Sequence, residues 1–173
     1  VKLTEAAWFR GIEFLTAVGQ KCTNKRQEFI LLSDVLGLSM MTVAINNDRP
    51  AGCTESTVFG PFYVDDAPHY ENGDDVSNGA SGQACLVHGT VKNSDGQPVS
   101  NATIDVWQAD DEGFYDVQKE NLNHAQARGV LHSKVDGSFN FKSIVAEAYP
   151  IPMDGPVGTM LEATLRSPWR PAH

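Results

Sequence analysis

The spacing of apolar residues changes once along this chain, and that change limits the fold more than any other feature. Over residues 4–45 the spacing is helical: Ala7, Trp8, Ile12, Leu15 and Val18 form one stripe, and Asn24 followed by Gln27 resembles a capping signal for a second helix. In that second helix Phe29, Ile30, Leu32, Val35, Leu36, Met40, Met41, Val43 and Ala44 cover more than one face, which predicts burial on several sides. Asn46-Asn47-Asp48-Arg49-Pro50 then ends the helical pattern, since proline and clustered Asn and Asp disfavour continuation. Beyond it the pattern alternates. Segments 84–91 and 102–107 carry strand-forming residues around a turn at Ser94-Asp95-Gly96, and segments 130–135 and 138–145 do so around Asp136-Gly137, which predicts two antiparallel hairpins. Segment 65–83 reads as a long exposed connection. The expected fold class is α+β, with helices over 1–50 and a mainly antiparallel β-sandwich over 51–173.

Charge and cysteine content narrow the function classes. Thirteen Lys and Arg against twenty-two Asp and Glu leave a net charge of -9, which repels nucleic acid and anionic membrane surfaces. No apolar stretch approaches the ~20 residues that span a bilayer, so membrane insertion is not expected. Three cysteines, Cys22, Cys53 and Cys85, without Cys-x-x-Cys spacing, predict free thiols in a reducing cytoplasm. The chain opens on Val1 and stops at His173 without a polar tail, so both ends are expected to be cuts through a longer protein, with the sandwich truncated at its C-terminus.

The chemistry-bearing residues are two tyrosines and the last histidine. Tyr115 lies in Asp111-Glu112-Gly113-Phe114-Tyr115-Asp116, and Tyr149 precedes Pro150 and Pro152, which stiffen the backbone that presents it. His173 follows Pro171 in the same manner. Phenolates are hard anionic donors suited to Fe(III), whereas histidine with cysteine points to zinc or copper. A tyrosine at a strand end is, taken alone, usually a packing residue. His69, His88, His124 and His132 are read as packed or surface imidazoles.

Six blocks in order carry a resemblance: Glu55 to Tyr63, Asp105-Val106-Trp107-Gln108-Ala109, Gly113-Phe114-Tyr115-Asp116, Ser143-Ile144-Val145, Ala148-Tyr149-Pro150-Ile151-Pro152 and Trp169-Arg170-Pro171-Ala172-His173. Together they resemble the intradiol ring-cleaving dioxygenases, and among these the branch acting on hydroxyquinol. The resemblance implies a non-haem Fe(III) held by Tyr115, Tyr149 and His173, with a second histidine expected two residues past His173. It further implies that Tyr149 leaves the metal as substrate binds and that Arg170 stabilises negative charge on the ring. Val58, Phe59, Gly60 and Pro61 match the loop over the aromatic ring, and Leu31 and Asp34 the pocket wall. Asp34 would accept a hydrogen bond from the third hydroxyl of benzene-1,2,4-triol.

The implied reaction opens that triol with O2 to 3-hydroxy-cis,cis-muconate, the enol of maleylacetate, in aromatic catabolism. Catechol or chlorocatechol as substrate, and an iron-free β-sandwich binding module, stay open as alternatives. A homodimer formed through the N-terminal helices, with phospholipid in the interface, is the partner implied.

Overall fold

Thr4 starts the first helix by accepting the Ala7 N–H on its hydroxyl, as an N-cap serine or threonine does. The computed structural model describes residues 2–23 and 26–173, so Asn24 of the expected capping signal lies outside the described residues. In chain order the elements are α1 (Glu5–Lys21), α2 (Glu28–Leu36), α3 (Leu38–Asn46), β1 (Ala84–Thr90), β2 (Thr103–Trp107), β3 (Arg128–His132), β4 (Ser138–Ile144), β5 (Tyr149–Pro150), α4 (Pro156–Ala163) and β6 (Trp169–Arg170). The α+β expectation holds. The chain divides into two units: one takes 1–48, 56–58 and 150–170, and the other takes 49–55, 59–149 and 171–173.

In the first unit the second predicted helix is in fact two. Gly37 adopts φ +83°, a left-handed conformation open to glycine at little cost, and its N–H caps α2 on the Ser33 and Asp34 carbonyls. The axes of α2 and α3 differ by 73° across it. Among the described residues no single helix is long and apolar enough to cross a membrane. The core of this unit joins Val18, Leu32 and Val35 to Ile151, Val157 and Leu161 of the later segment.

Burial of the second stripe on several sides is not observed: α3 has no buried residue, and Phe29, Ile30, Leu36, Met41 and Ile45 are exposed. A stripe pattern states which residues are apolar, whereas burial needs a partner surface, and α4 covers only one side. Helix α4 itself was not anticipated, although Gly155-Pro156 places a proline at its first turn, a known helix-start signal.

The second unit is a small sandwich. All four predicted strands form and run antiparallel, but the predicted hairpin partners are wrong. Strand β1 pairs with β4, Val87 opposite Phe141, and β2 pairs with β3, Ile104 opposite Leu131. Both turns reverse the chain as expected, through Gly96 N–H on Asn93 O and Gly137 N–H on Lys134 O. The arms then part. Ser133 is the local reason: its hydroxyl accepts the Ala102 N–H and donates to the Val99 carbonyl, drawing that arm onto β3. The inward rows of the two ladders close on one core of Val76, Leu131 and Phe141 with Val87, Ile104, Val106 and Phe139.

Segment 65–83 is likewise more ordered than its Asn and Gly content suggested. His69 bridges to Val130 and Asp75 to Lys142, and Val76 is fully buried. Its backbone finds partners on two strands that are distant in sequence.

Candidate metal centre

The second unit brings Tyr115, Tyr149 and His173 together. Tyr115 follows a tight loop built around Asp110, whose buried carboxylate accepts the N–H groups of Glu112 and Phe114 and pairs with Lys119. Burial pushes that carboxyl up, but the Lys119 hydrogen bond and the two amides outweigh it and hold the pKa below the usual range. Gly113 completes the loop at φ +82°, and a Cβ there would lie 3.4 Å from the Ala148 carbonyl and from Tyr149 Cβ. The left-handed backbone at this position is what calls for glycine, and it brings the two tyrosine-bearing segments side by side.

Tyr115 is 2% exposed. Its ring stacks on Phe62 with centroids 4.4 Å apart and meets Tyr149 edge-on at 5.5 Å. Its hydroxyl lies 3.4 Å from His173 Nε2, and Tyr149 and His173 have ring centroids 5.6 Å apart. The other imidazole nitrogen, Nδ1, lies 2.8 Å from the Pro171 carbonyl. A carbonyl only accepts, so Nδ1 carries the proton and Nε2 presents its lone pair to the tyrosines.

Burial, and next the neighbouring Tyr149, raise the Tyr115 pKa above its ordinary value; the Arg128 charge acts weakly the other way. Without a strong positive charge at the centre, Tyr115 is a neutral phenol. A multivalent cation is the natural means of ionising it.

The residues fit such an ion. Two donors each about 2 Å from one metal and roughly 100° apart are separated by ~3 Å, close to the spacing of the Tyr115 and His173 donor atoms. The donor set of phenol oxygens and one imidazole is hard and anionic, as a ferric ion prefers. Among the described residues no cluster of three or more His, Cys, Asp or Glu could hold a metal.

The remaining predicted residues divide between the units. Phe59, Gly60 and Pro61 lie in the second, where the exposed Phe59 ring stacks on Tyr63 at 4.6 Å and meets Trp107 edge-on at 6.2 Å. Leu31, Asp34, Val58 and Arg170 lie in the first. Leu31 and Asp34 are half-buried on α2, and among the described residues no donor reaches the Asp34 carboxylate. Arg170 donates through Nη2 to the Ser167 carbonyl at 2.7 Å, while its Nε is buried with no hydrogen-bond partner among the described residues.

Sequence reasoning missed Asp110, Asp116, Arg128 and Phe62 as parts of the surroundings of Tyr115. Phe62 stood within a quoted block and Asp116 beside the tyrosine. Arg128 carried no signal, because its partner is supplied by a loop 12 residues earlier.

Comparison with known proteins identifies the family. The family model described as Dioxygenase matches residues 58–173, and that described as Catechol dioxygenase N terminus matches residues 1–54. The chain is 64% identical over its whole length to 63% of the 6-chlorohydroxyquinol 1,2-dioxygenase of Cupriavidus pinatubonensis. It is 54% identical, again over its whole length, to 59% of the hydroxyquinol 1,2-dioxygenase of Nocardioides simplex. The solved hydroxyquinol 1,2-dioxygenase of Pseudomonas putida DLL-E4 superposes with a TM-score of 0.94 at 48% identity, covering 99% of this chain and 60% of that one. The chain thus spans about 60% of the length of these relatives. Family models that together cover nearly the whole chain, and relatives at this level of identity, place the chain in the intradiol ring-cleavage dioxygenase family.

Proposed function

We propose that the complete protein is a non-haem Fe(III) dioxygenase that opens hydroxyquinol between its adjacent hydroxyls. The observation that carries the reading is the convergence of Tyr115, Tyr149 and His173, with the Tyr115 hydroxyl 3.4 Å from His173 Nε2 and the Tyr149 ring centroid 5.5 Å and 5.6 Å from those of Tyr115 and His173. When bound there, a ferric ion supplies Lewis acidity towards an ortho-diol. Residues 1–50 then serve as the helical dimerisation region and 51–173 as the catalytic domain.

The protein groups divide the remaining work. Tyr115, buried and stacked on Phe62, stays in place as a permanent ligand. Tyr149 would be the second phenolate holding the ion, and its Oη would be the base that takes one proton of the ortho-diol. The unpartnered Nε of Arg170 is a buried donor with hydrogen-bonding capacity to spare, suited to charge that develops on the ring. Phe59, Gly60, Pro61 and Val58 line the ring-binding loop, and Leu31 forms the apolar wall. The Asp34 carboxylate, to which no described residue donates, accepts the third hydroxyl of the triol.

The relatives' names support a triol and its 6-chloro derivative as substrates; catechol and chlorocatechols are the competing set. The exposed apolar residues of α1, α2 and α3, including Trp8, Phe29, Met41 and Ile45, support a homodimer with phospholipid in its interface. A cytoplasmic location accords with the three free thiols.

Turnover of the triol, its 6-chloro derivative, catechol and chlorocatechols by the iron-loaded complete protein tests the assignment. Preference for the triols is expected, and the Asp34→Ala variant should lose ~10-fold or more of it, as when a buried polar partner is removed. Equal catechol turnover by the wild type would overturn the substrate, and a colourless iron-loaded protein would overturn the metal site.

A further inference from the structure

Outside the three donor residues, the most fully satisfied polar group beside the centre is an ion pair that the proposed chemistry does not use. The carboxylate of Asp116, the residue after Tyr115, receives Arg128 Nε at 3.0 Å and Nη2 at 2.6 Å. It also accepts the N–H groups of Val117 at 2.9 Å and Gln126 at 3.2 Å. Both side chains are buried, 3% and 7% exposed for Arg128 and Asp116. Arg128 sits at the start of β3, in register with Trp107 at the end of β2.

Stability alone explains such a pair poorly. Taking two charges out of water costs about as much as their attraction returns, and well-packed apolar residues often do equally well there. What a guanidinium fork supplies is direction, since two parallel N–H donors fix the plane of a carboxylate in a way that one ammonium cannot. That direction is imposed on the residue bonded to Tyr115, whose own N–H is held at 2.9 Å by Gln118 Oε1.

We propose that Arg128 is a positioning residue for Tyr115: by gripping Asp116 from β3 it ties the tyrosine to the register of the sandwich and aims its phenol at Tyr149 and His173. The proposal rests on the reading of Tyr115 as a metal ligand. It assigns no contact with substrate to Arg128.

The test uses the complete protein with Arg128→Lys, which keeps the charge and loses the fork, and Arg128→Met, which loses both. A core variant elsewhere on β3, Leu131→Ala, controls for plain loss of stability. Each is loaded with iron alone and read by iron content, by the phenolate-to-iron absorption band, and by kcat and KM separately. In Arg128→Lys we expect a folded protein with a displaced band, iron affinity lowered ~10–100-fold as for other residues that orient metal ligands, and kcat reduced more than KM is raised.

A lysine variant that matches wild type in band, iron content and kcat overturns the proposal. So does a set in which Leu131→Ala shifts the band as far as Arg128→Lys does. If the wild type itself takes up no iron, the metal reading fails first, and the ring signals of 13C-labelled Tyr115 in the metal-free protein decide the positioning role: altered in Arg128→Lys if it holds, unchanged if it does not.

Discussion

The helical unit and the sandwich unit each bury one carboxylate against an arginine, yet the two pairs serve different neighbours. In the helical unit Glu28 is fully buried, pairs with Arg26 at 2.8 Å, and accepts the Val157 N–H at the first turn of α4. Gly155 leaves the room for it, since a Cβ there would come within 2.5 Å of Glu28 Oε1. In the sandwich unit Asp116 and Arg128 stand directly behind Tyr115. The first pair fastens one helix to another, and the second fastens the loop that carries Tyr115 to a strand. A buried ion pair therefore does not declare its purpose by its own geometry; what it is bonded to decides.

The largest expected effect removes a donor outright. Tyr115→Phe in the complete protein removes one of the two proposed phenolates, so the visible band should weaken and shift, ring cleavage should be lost, and iron binding should weaken beyond the ~100-fold typical of changes in the surrounding layer, as read by absorption and metal analysis. An unchanged band with cleavage retained would place the centre elsewhere.

The contrast between the two pairs is sharpened by Glu28→Ala. It takes one of two carboxylates from Arg26, which keeps Asp154, and uncaps α4, so a loss of about 1–3 kcal/mol is expected in urea unfolding, with Glu28→Gln costing less because it still accepts the Val157 N–H. The absorption band of whatever protein remains folded should be unmoved, since the proposed donors Tyr115, Tyr149 and His173 all lie in the other unit. A displaced band would show that the helical pair also serves the centre.

Alkaline pH gives a subtler reading. Burial and then Tyr149 raise the pKa of Tyr115, so the folded metal-free protein favours the neutral phenol more than the unfolded chain does. That contribution is complete below the unfolded value of about 10 and drains away as pH climbs through it towards the folded value. Metal-free Tyr115→Phe should therefore lose less stability between neutral and alkaline pH than wild type does; parallel curves would deny the buried phenol its role.

The smallest effect belongs to Asp154, which hydrogen bonds to Arg26 and then Lys21 hold at about 2. Its support is present above the ordinary carboxylate value and fades as pH falls towards 2. With its side chain 66% exposed, screening limits Asp154→Ala to less than ~1 kcal/mol at neutral pH. A larger loss would mean that the rim of the Glu28 cluster carries more of α4 than Glu28 does.

Much of this molecule was legible before the fold was known. Local signals were read correctly where the physics is local: the helical stripe of α1, the alternation of β1 to β4, and the reversals at Gly96 and Gly137. The two tyrosines and His173 were named from residue chemistry and motif order, and the fold draws them together. Local signals misled where the deciding partner is distant. Gly37 looked like one glycine inside a long apolar helix until its left-handed conformation divided it. The strand partners were exchanged because a turn fixes where the chain reverses but not which edge each arm joins, and Ser133 settles that from 31 residues beyond Ala102.

The sequence by itself determined the element types, the apolar rows and the donor chemistry, because period and side-chain identity are properties of short stretches. Only the tertiary structure decided that Asp110 is the hub of a loop, that Phe62 lies flat on Tyr115, and that Arg128 grips the carboxylate beside it. Those arrangements are pairings across strands and loops, and a pairing becomes visible only once the folded backbone has brought its two halves within hydrogen-bonding reach.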